Sequence, residues 1–189
     1  AVGAGTNGAL STDGETWTAE TLPSLATGHW SSIADGLQDD GSSTFEPSAV
    51  VLVADGSNDV AYSSDADTWL TSSLPVGMNT GAETRVAYGN VVGSVVNRFV
   101  AISSADRDVA YSDNGGETWT LTTDALGSVG YDCIAYGAGK FVAVRASSTD
   151  AAYSADGVTW TTVTLPGTAT GGSVAWGNGK FVTLGGAEG

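Results

Sequence analysis

Val109–Thr120 reads VAYSDNGGETWT, and three other segments share its frame: ALSTDGETWT at Ala9–Thr18, VAYSSDADTWL at Val60–Leu70 and AAYSADGVTWT at Ala151–Thr161. The tryptophans Trp17, Trp69, Trp119 and Trp160 follow one another at intervals of 52, 50 and 41 residues. Self-similarity at this period marks a repeat architecture in which each unit is one supersecondary element.

A second set of segments lies between the first: VAYGNVVGSVVNRFVAI at Val86–Ile102, IAYGAGKFVAV at Ile134–Val144 and VAWGNGKFVTL at Val174–Leu184. The first repeat carries a degraded version, IADG at Ile33–Gly36 and AVVLV at Ala49–Val53. Each version has two short apolar runs joined by Gly or Asn, the pattern of a β-hairpin. One unit therefore predicts four strands: A like VAYG, B like KFVAV, C like VAYS and D like TWT. A lone meander of this kind exposes both faces and needs neighbours to cover them. The expected fold is all-β: a four-bladed β-propeller of four-stranded antiparallel blades, a single domain over residues 1–189. The C-terminal repeat has only A and B, and the N-terminal one only C and D. The expectation is that the first and last blade is one blade, shared between the N- and C-terminal strands, which removes open sheet edges.

Composition agrees. Among 189 residues, 27 glycines and 41% hydrophobic residues suit turns and a core. The formal charge of −15 disfavours nucleic acid and anionic membrane surfaces as partners. Cys133 is the sole cysteine, so no intrachain disulfide and no Cys-based zinc site is expected. No apolar run is long enough for a spanning helix, and no signal-peptide pattern opens the chain. The start at Ala1 fits either removal of an initiator Met or an earlier cleavage, and the first leads to the expectation of a protein made in the cytosol without an export signal, as suits a virus particle built inside a cell.

The segments Ser11-Thr-Asp13-Gly14-Glu-Thr16-Trp17 and Ser154-Ala-Asp156-Gly157-Val-Thr159-Trp160 resemble the Asp-box (BNR) repeat of sialidases and related propellers. Ser112-Asp-Asn114-Gly-Gly116-Glu-Thr118-Trp119 is a longer form with Asn for Asp, and Ser63-Ser-Asp65-Ala-Asp67-Thr68-Trp69 has lost its Gly. The resemblance implies a structural role for these residues. The carboxylate accepts bonds from its own turn, Gly allows positive φ, and Trp packs between sheets. In the resembling enzymes these boxes lie away from the active site, so no catalytic, cofactor or metal residue is assigned to them.

The resemblance also invites a sialidase reading. Such enzymes clamp a carboxylate with three arginines, because planar bidentate donors hold it best. The four arginines here are Arg85, Arg98, Arg107 and Arg145. The Arg-Ile-Pro motif of that family is absent, and four blades fall short of its six. His29 is the sole histidine, which excludes a multi-histidine metal site, and no Gly-x-Ser-x-Gly elbow occurs. Gly3–Gly8 holds no Lys and leads into no helix, so it is no phosphate loop. The chain is read as a non-enzyme with no cofactor.

Departures from the repeat point to contacts. The first A-to-B connection, Asp35–Ser48, is long and carries Asp39, Asp40, Phe45 and Glu46. It reads either as an acidic tip or as a contact with a neighbouring subunit. Trp30 and Tyr131 hold equivalent positions entering A strands, where they either pack between blades or face a sugar or protein at a ring opening. The expected function is a structural or adhesive propeller of a bacteriophage virion, in a capsid decoration, tail or fibre. Its partners would be other virion proteins, itself or surface glycans. The alternative is an extracellular lectin or a sialidase-like glycosidase.

Overall fold

The computed structural model describes residues 7–36, 49–78, 81, 83–91 and 97–185. All regular structure among them is β: fifteen strands, and no helix. β1 (Asn7–Leu10) and β2 (Thr18–Thr21) form a hairpin. β3 (His29–Gly36), β4 (Ala49–Asp55), β5 (Asp59–Ser63) and β6 (Leu70–Ser73) form a first four-stranded meander. β7 (Thr84–Asn90), β8 (Asn97–Ser103), β9 (Val109–Ser112) and β10 (Thr120–Thr122) form a second. β11 (Cys133–Gly137), β12 (Lys140–Val144), β13 (Ser148–Ser154), β14 (Thr161–Gly177) and β15 (Lys180–Gly185) form a third sheet of five strands. Every pairing is antiparallel and joins neighbours in sequence.

The sheets stack face to face in chain order, and strand alternation sorts side chains between the two faces. Val51, Val53 and Val60 of the first sheet meet Val86, Phe99 and Ala101 of the second. Leu52, Ala54 and Ala61, on the other face, meet Leu22 and Trp30. Val100, Ile102 and Val109 of the second sheet meet Ile134, Phe141 and Ala143 of the third. Val144 and Ala151 meet Val174. Burying each such Val or Ile stabilises by roughly 1.5–3 kcal/mol relative to exposure, so apolar residues are needed on both faces.

The first strands of successive repeats lie side by side: β3 by β7, β7 by β11, and β11 by β14. Glycine sets this approach. A Cβ on Gly36 would meet the Tyr88 ring at 2.7 Å. One on Gly89 would fall within the Tyr136 ring, and one on Gly137 within the Trp176 ring. Each of these aromatics also tilts against the next strand's phenylalanine, with centroids 4.8 Å apart for Tyr88–Phe99, 4.9 Å for Tyr136–Phe141 and 4.6 Å for Trp176–Phe181. Gly177, last in the series, has no such neighbour within 4 Å.

Three expectations need correction. The D strands begin at or after the tryptophan's successor, at Thr18, Leu70, Thr120 and Thr161, so the Thr-Trp pair belongs to the turn. The last D and A strands are one continuous β14, whose register shifts opposite Ser148 and Asp150 of β13 and, against β15, between its own Ala169 and Val174. The shared blade is not closed: β1 pairs with β2 and β15 with β14, and among the described residues the two do not pair with each other.

Candidate functional site

The four serine-to-tryptophan turns are built alike. In the first, Asp13 Oδ1 accepts from the N–H of Glu15 and of Thr16, both at 2.8 Å, and from Ser11 Oγ at 3.0 Å. Ser11 Oγ in turn accepts from Gly14 N at 2.8 Å. Asp65 Oδ1 accepts from Asp67 N, Thr68 N and Ser63 Oγ, and Asp156 Oδ1 from Val158 N, Thr159 N and Ser154 Oγ. Asn114 does the same through Oδ1, taking Thr118 N at 3.0 Å and Ser112 Oγ at 2.9 Å, while its amide donates to Thr118 Oγ1. Gly14 and Gly157 hold φ of 75° and 73°; Ala66, in the turn without glycine, is forced to φ 59°. A non-glycine there carries strain. Trp17 Nε1 and Trp119 Nε1 donate to the carbonyls of Gly14 and Gly116, whereas Trp69 Nε1 and Trp160 Nε1 are buried without a protein acceptor.

These bonds are made to the ionised carboxylate, so they lower its pKa. Backbone donation from Thr16 and Glu15, then the Ser11 hydroxyl, brings Asp13 down to about 2. Thr68, Asp67 and Ser63 bring Asp65 down to about 2 in the same way. Burial pushes Asp156 up, but donation from Thr159, Val158 and Ser154 outweighs it and the group ends below its ordinary value. All three carboxylates are turned inward on their own loops.

The arginines are engaged with acids close to them. Arg98 grips Asp113 through Nε at 2.6 Å and Nη2 at 2.8 Å, and lies 4.0 Å over the Tyr111 ring. It also donates to Asp156 O in the next sheet's turn at 2.7 Å, which ties the second and third sheets together. Arg85 meets Glu83 at 3.0 Å and Asp55 at 3.8 Å. Arg107 meets Asp124 at 2.7 Å and Arg145 meets Asp150 at 3.5 Å. His29 opens β3 with its Nε2 3.6 Å from Asp55. Asp55 was not singled out in the sequence, although its oxygens receive Thr84 N and face both His29 and Arg85. Its position before a glycine at a strand end was the available signal.

Trp30 and Tyr131 are packed in the cores between sheets, and Tyr131 also borders a groove beside Ser128 and Asp150. Each is 1% exposed. Trp30 Nε1 donates to Pro23 O, and the Tyr131 hydroxyl to Ala151 O. Burial pushes the Tyr131 phenol up. Of the two alternatives for these aromatics, packing between sheets is the one formed for Trp30, while Tyr131 packs there and also edges the groove. Asp39, Asp40, Phe45 and Glu46 lie outside the described residues.

Two grooves flank the third sheet. One, of about 340 Å³, is apolar and lined by Val142, Val144, Tyr153, Val163, Val174 and Phe181. The other, of about 440 Å³, presents Ser128, Asp150, Thr162 and Thr164 beside Leu126 and Val129. Among the described residues no group of three His, Cys, Asp or Glu side chains could hold a metal ion, and no helix is long and apolar enough to cross a membrane.

No protein-family model and no curated protein matches the chain. Its fold is similar to that in the crystal structure of the GH74 enzyme of Niastella koreensis, with a TM-score of 0.52 and 18% sequence identity over 92% of this chain. The chain spans 26% of that enzyme's length. At this identity the likeness extends to the fold: an all-β stack of antiparallel sheets.

Proposed function

We propose that the chain is a four-bladed, Asp-box-type β-propeller with a structural or adhesive role and no catalysis, a component of a bacteriophage virion. As a capsid decoration, tail or fibre protein it acts through protein–protein or glycan contact. The observation that carries this reading is the commitment of all four arginines. A carboxylate clamp needs guanidinium groups that converge on the substrate. Here Arg98 is held by Asp113, Arg85 by Glu83, Arg107 by Asp124 and Arg145 by Asp150. The boxes spend their carboxylates on their own amides, and a carboxylate held low in pKa is a poor proton donor near neutral pH. The acidic surface suits a protein that must stay soluble and avoid packaged nucleic acid.

A carbohydrate-binding or carbohydrate-processing propeller is the second reading. It is favoured by the hydroxyl-lined groove of Ser128, Thr162 and Thr164 beside Asp150, whose donors and acceptors suit a sugar. Fluorogenic sialosides and glycosides decide between them. The virion reading expects no turnover; turnover lost on Arg85→Ala or Arg145→Ala sinks it. Capsid or tail genes beside the coding sequence are expected, and a catabolic cluster there would oppose the reading.

A further inference from the structure

The two ends of the stack carry matching halves of an interface that the chain already makes inside itself. In every complete sheet the second strand pairs with the third in one register. Val53 faces Val60, Leu52 faces Ala61 and Val51 faces Tyr62. Ile102 faces Val109, Ala101 faces Ala110 and Val100 faces Tyr111. Val144 faces Ala151, Ala143 faces Ala152 and Val142 faces Tyr153. Among the described residues, β15 is the fourth second-strand and has no third strand beside it, and β1 is the fourth third-strand and has no second strand beside it.

Side chains repeat the pattern. Val182 and Leu184 of β15 stand where Val51 and Val53, and Val100 and Ile102, are fully buried, yet they are 59% and 62% exposed. At the other end Trp17 is 58% exposed, while its equivalents Trp119 and Trp160 pack into the cores between sheets. The turn glycines tell the same story. A Cβ on Gly116 would meet Val51 at 2.8 Å, and one on Gly157 would meet Val100 at 2.5 Å, whereas Gly14 has nothing within 4 Å. The next valine in that series, Val142, lines the open apolar groove.

We infer that β1 of one copy adds to the free edge of β15 of a second copy, with Leu184 opposite Gly8, Thr183 opposite Ala9 and Val182 opposite Leu10, and that Trp17 of the first copy fills the groove over Val142 of the second. The inference rests on the propeller reading above and specifies how its fourth blade is completed. The occupant is a second copy because, among the described residues, this chain's β1 pairs with β2 and its β15 with β14, and not with each other. Strand addition satisfies the unpaired backbone groups of both edges. The contact is head-to-tail, so it closes a ring or runs on as a fibre.

Single-cysteine chains test this. Ala9→Cys and Thr183→Cys are made separately on a Cys133→Ser background, mixed and oxidised. Residues directly opposite in an antiparallel pair have Cα atoms about 4.5–5.5 Å apart, within disulfide range. A covalent heterodimer of twice the 18.9 kDa chain mass is expected, well above that formed with Val76→Cys, which is 98% exposed and outside the interface. Sedimentation of the unmodified chain is expected to give two chains or more, reverting to one on Val182→Asp. This substitution falls at an already exposed site and leaves the single chain folded. An Ala9→Cys/Thr183→Cys chain that closes only on itself at monomer mass overturns completion in trans but keeps the propeller. No crosslink in either format, with a monomeric parent, overturns the fourth blade as well.

Discussion

Ser32 Oγ accepts a hydrogen bond from Val86 N at 3.2 Å, across 54 residues of sequence and from one sheet to the next. Cys133, at the equivalent place in β11 two repeats later, accepts from Val174 N of β14 at 3.4 Å through its sulfur. The innermost strands are thus stitched by a side-chain acceptor rather than by a continuous ladder. A hydroxyl at this position serves the same end as the thiol. Ser32→Ala leaves the Val86 amide without that acceptor and is expected to lower stability by roughly 1–3 kcal/mol. Cys133→Ser is expected to be near neutral, because oxygen is the better acceptor. Urea unfolding of the two variants, followed by tryptophan fluorescence, checks both; a larger loss for Cys133→Ser would mean that the sulfur acts through packing.

Acid is expected to loosen the turns before it unfolds the sheets. Asp13 and Asp65 titrate at about 2 in the folded chain against an ordinary 3.8. A depressed carboxylate stabilises the fold above its unfolded pKa and loses that contribution as pH falls through its folded value. The window is therefore from about pH 4 down to about pH 2. The third turn, built on Asn114, has no carboxylate at that position to lose. Asp65→Asn should copy it, keeping the turn while removing its share of the acid sensitivity. NMR titration of the side-chain carboxyls checks this, and a midpoint near 4 for Asp13 would contradict it.

The repeat was legible because four Trp-bearing turns and three Phe-bearing hairpins recur with their polar and apolar residues in phase. The strands followed from short apolar runs joined by Gly or Asn turns. The edges of the D strands were not legible, because Asp Oδ1 takes the Thr amide and holds Thr-Trp in the turn. Trp30 and Tyr131 were ambiguous since an aromatic entering a strand fits either a mouth or a core; only Pro23 O and Ala151 O, remote in pattern, decide for burial. Arg98 was counted but given no role. Its bonds reach Asp113 and the Asp156 carbonyl across a sheet boundary, and no local spacing encodes that.

Glycine substitutions separate sheet contacts from open ends. Gly89→Ala drives a methyl into the Tyr136 ring and Gly137→Ala into the Trp176 ring, both held by tilted phenylalanines. Overpacking of this kind typically costs about 1–3 kcal/mol. Gly177→Ala has open space around it and a strand conformation, so it is expected to be neutral in the single chain. Thermal midpoints of the three variants should fall into two groups, with Gly177→Ala alone near the parent.

The indole nitrogens give the sharpest comparison among the turns. Trp119 Nε1 donates to Gly116 O at 3.0 Å, whereas the buried Trp160 Nε1 has no protein acceptor. Replacing either ring with phenylalanine removes similar apolar volume. At position 119 it also strips Gly116 O of its donor; at 160 it removes a polar group that burial already penalises. Trp119→Phe is therefore expected to cost about 1 kcal/mol more than Trp160→Phe in urea unfolding. Equal losses would mean that the turn's indole bond contributes nothing beyond the ring's packing, and that the tryptophan is retained in these turns for its size alone.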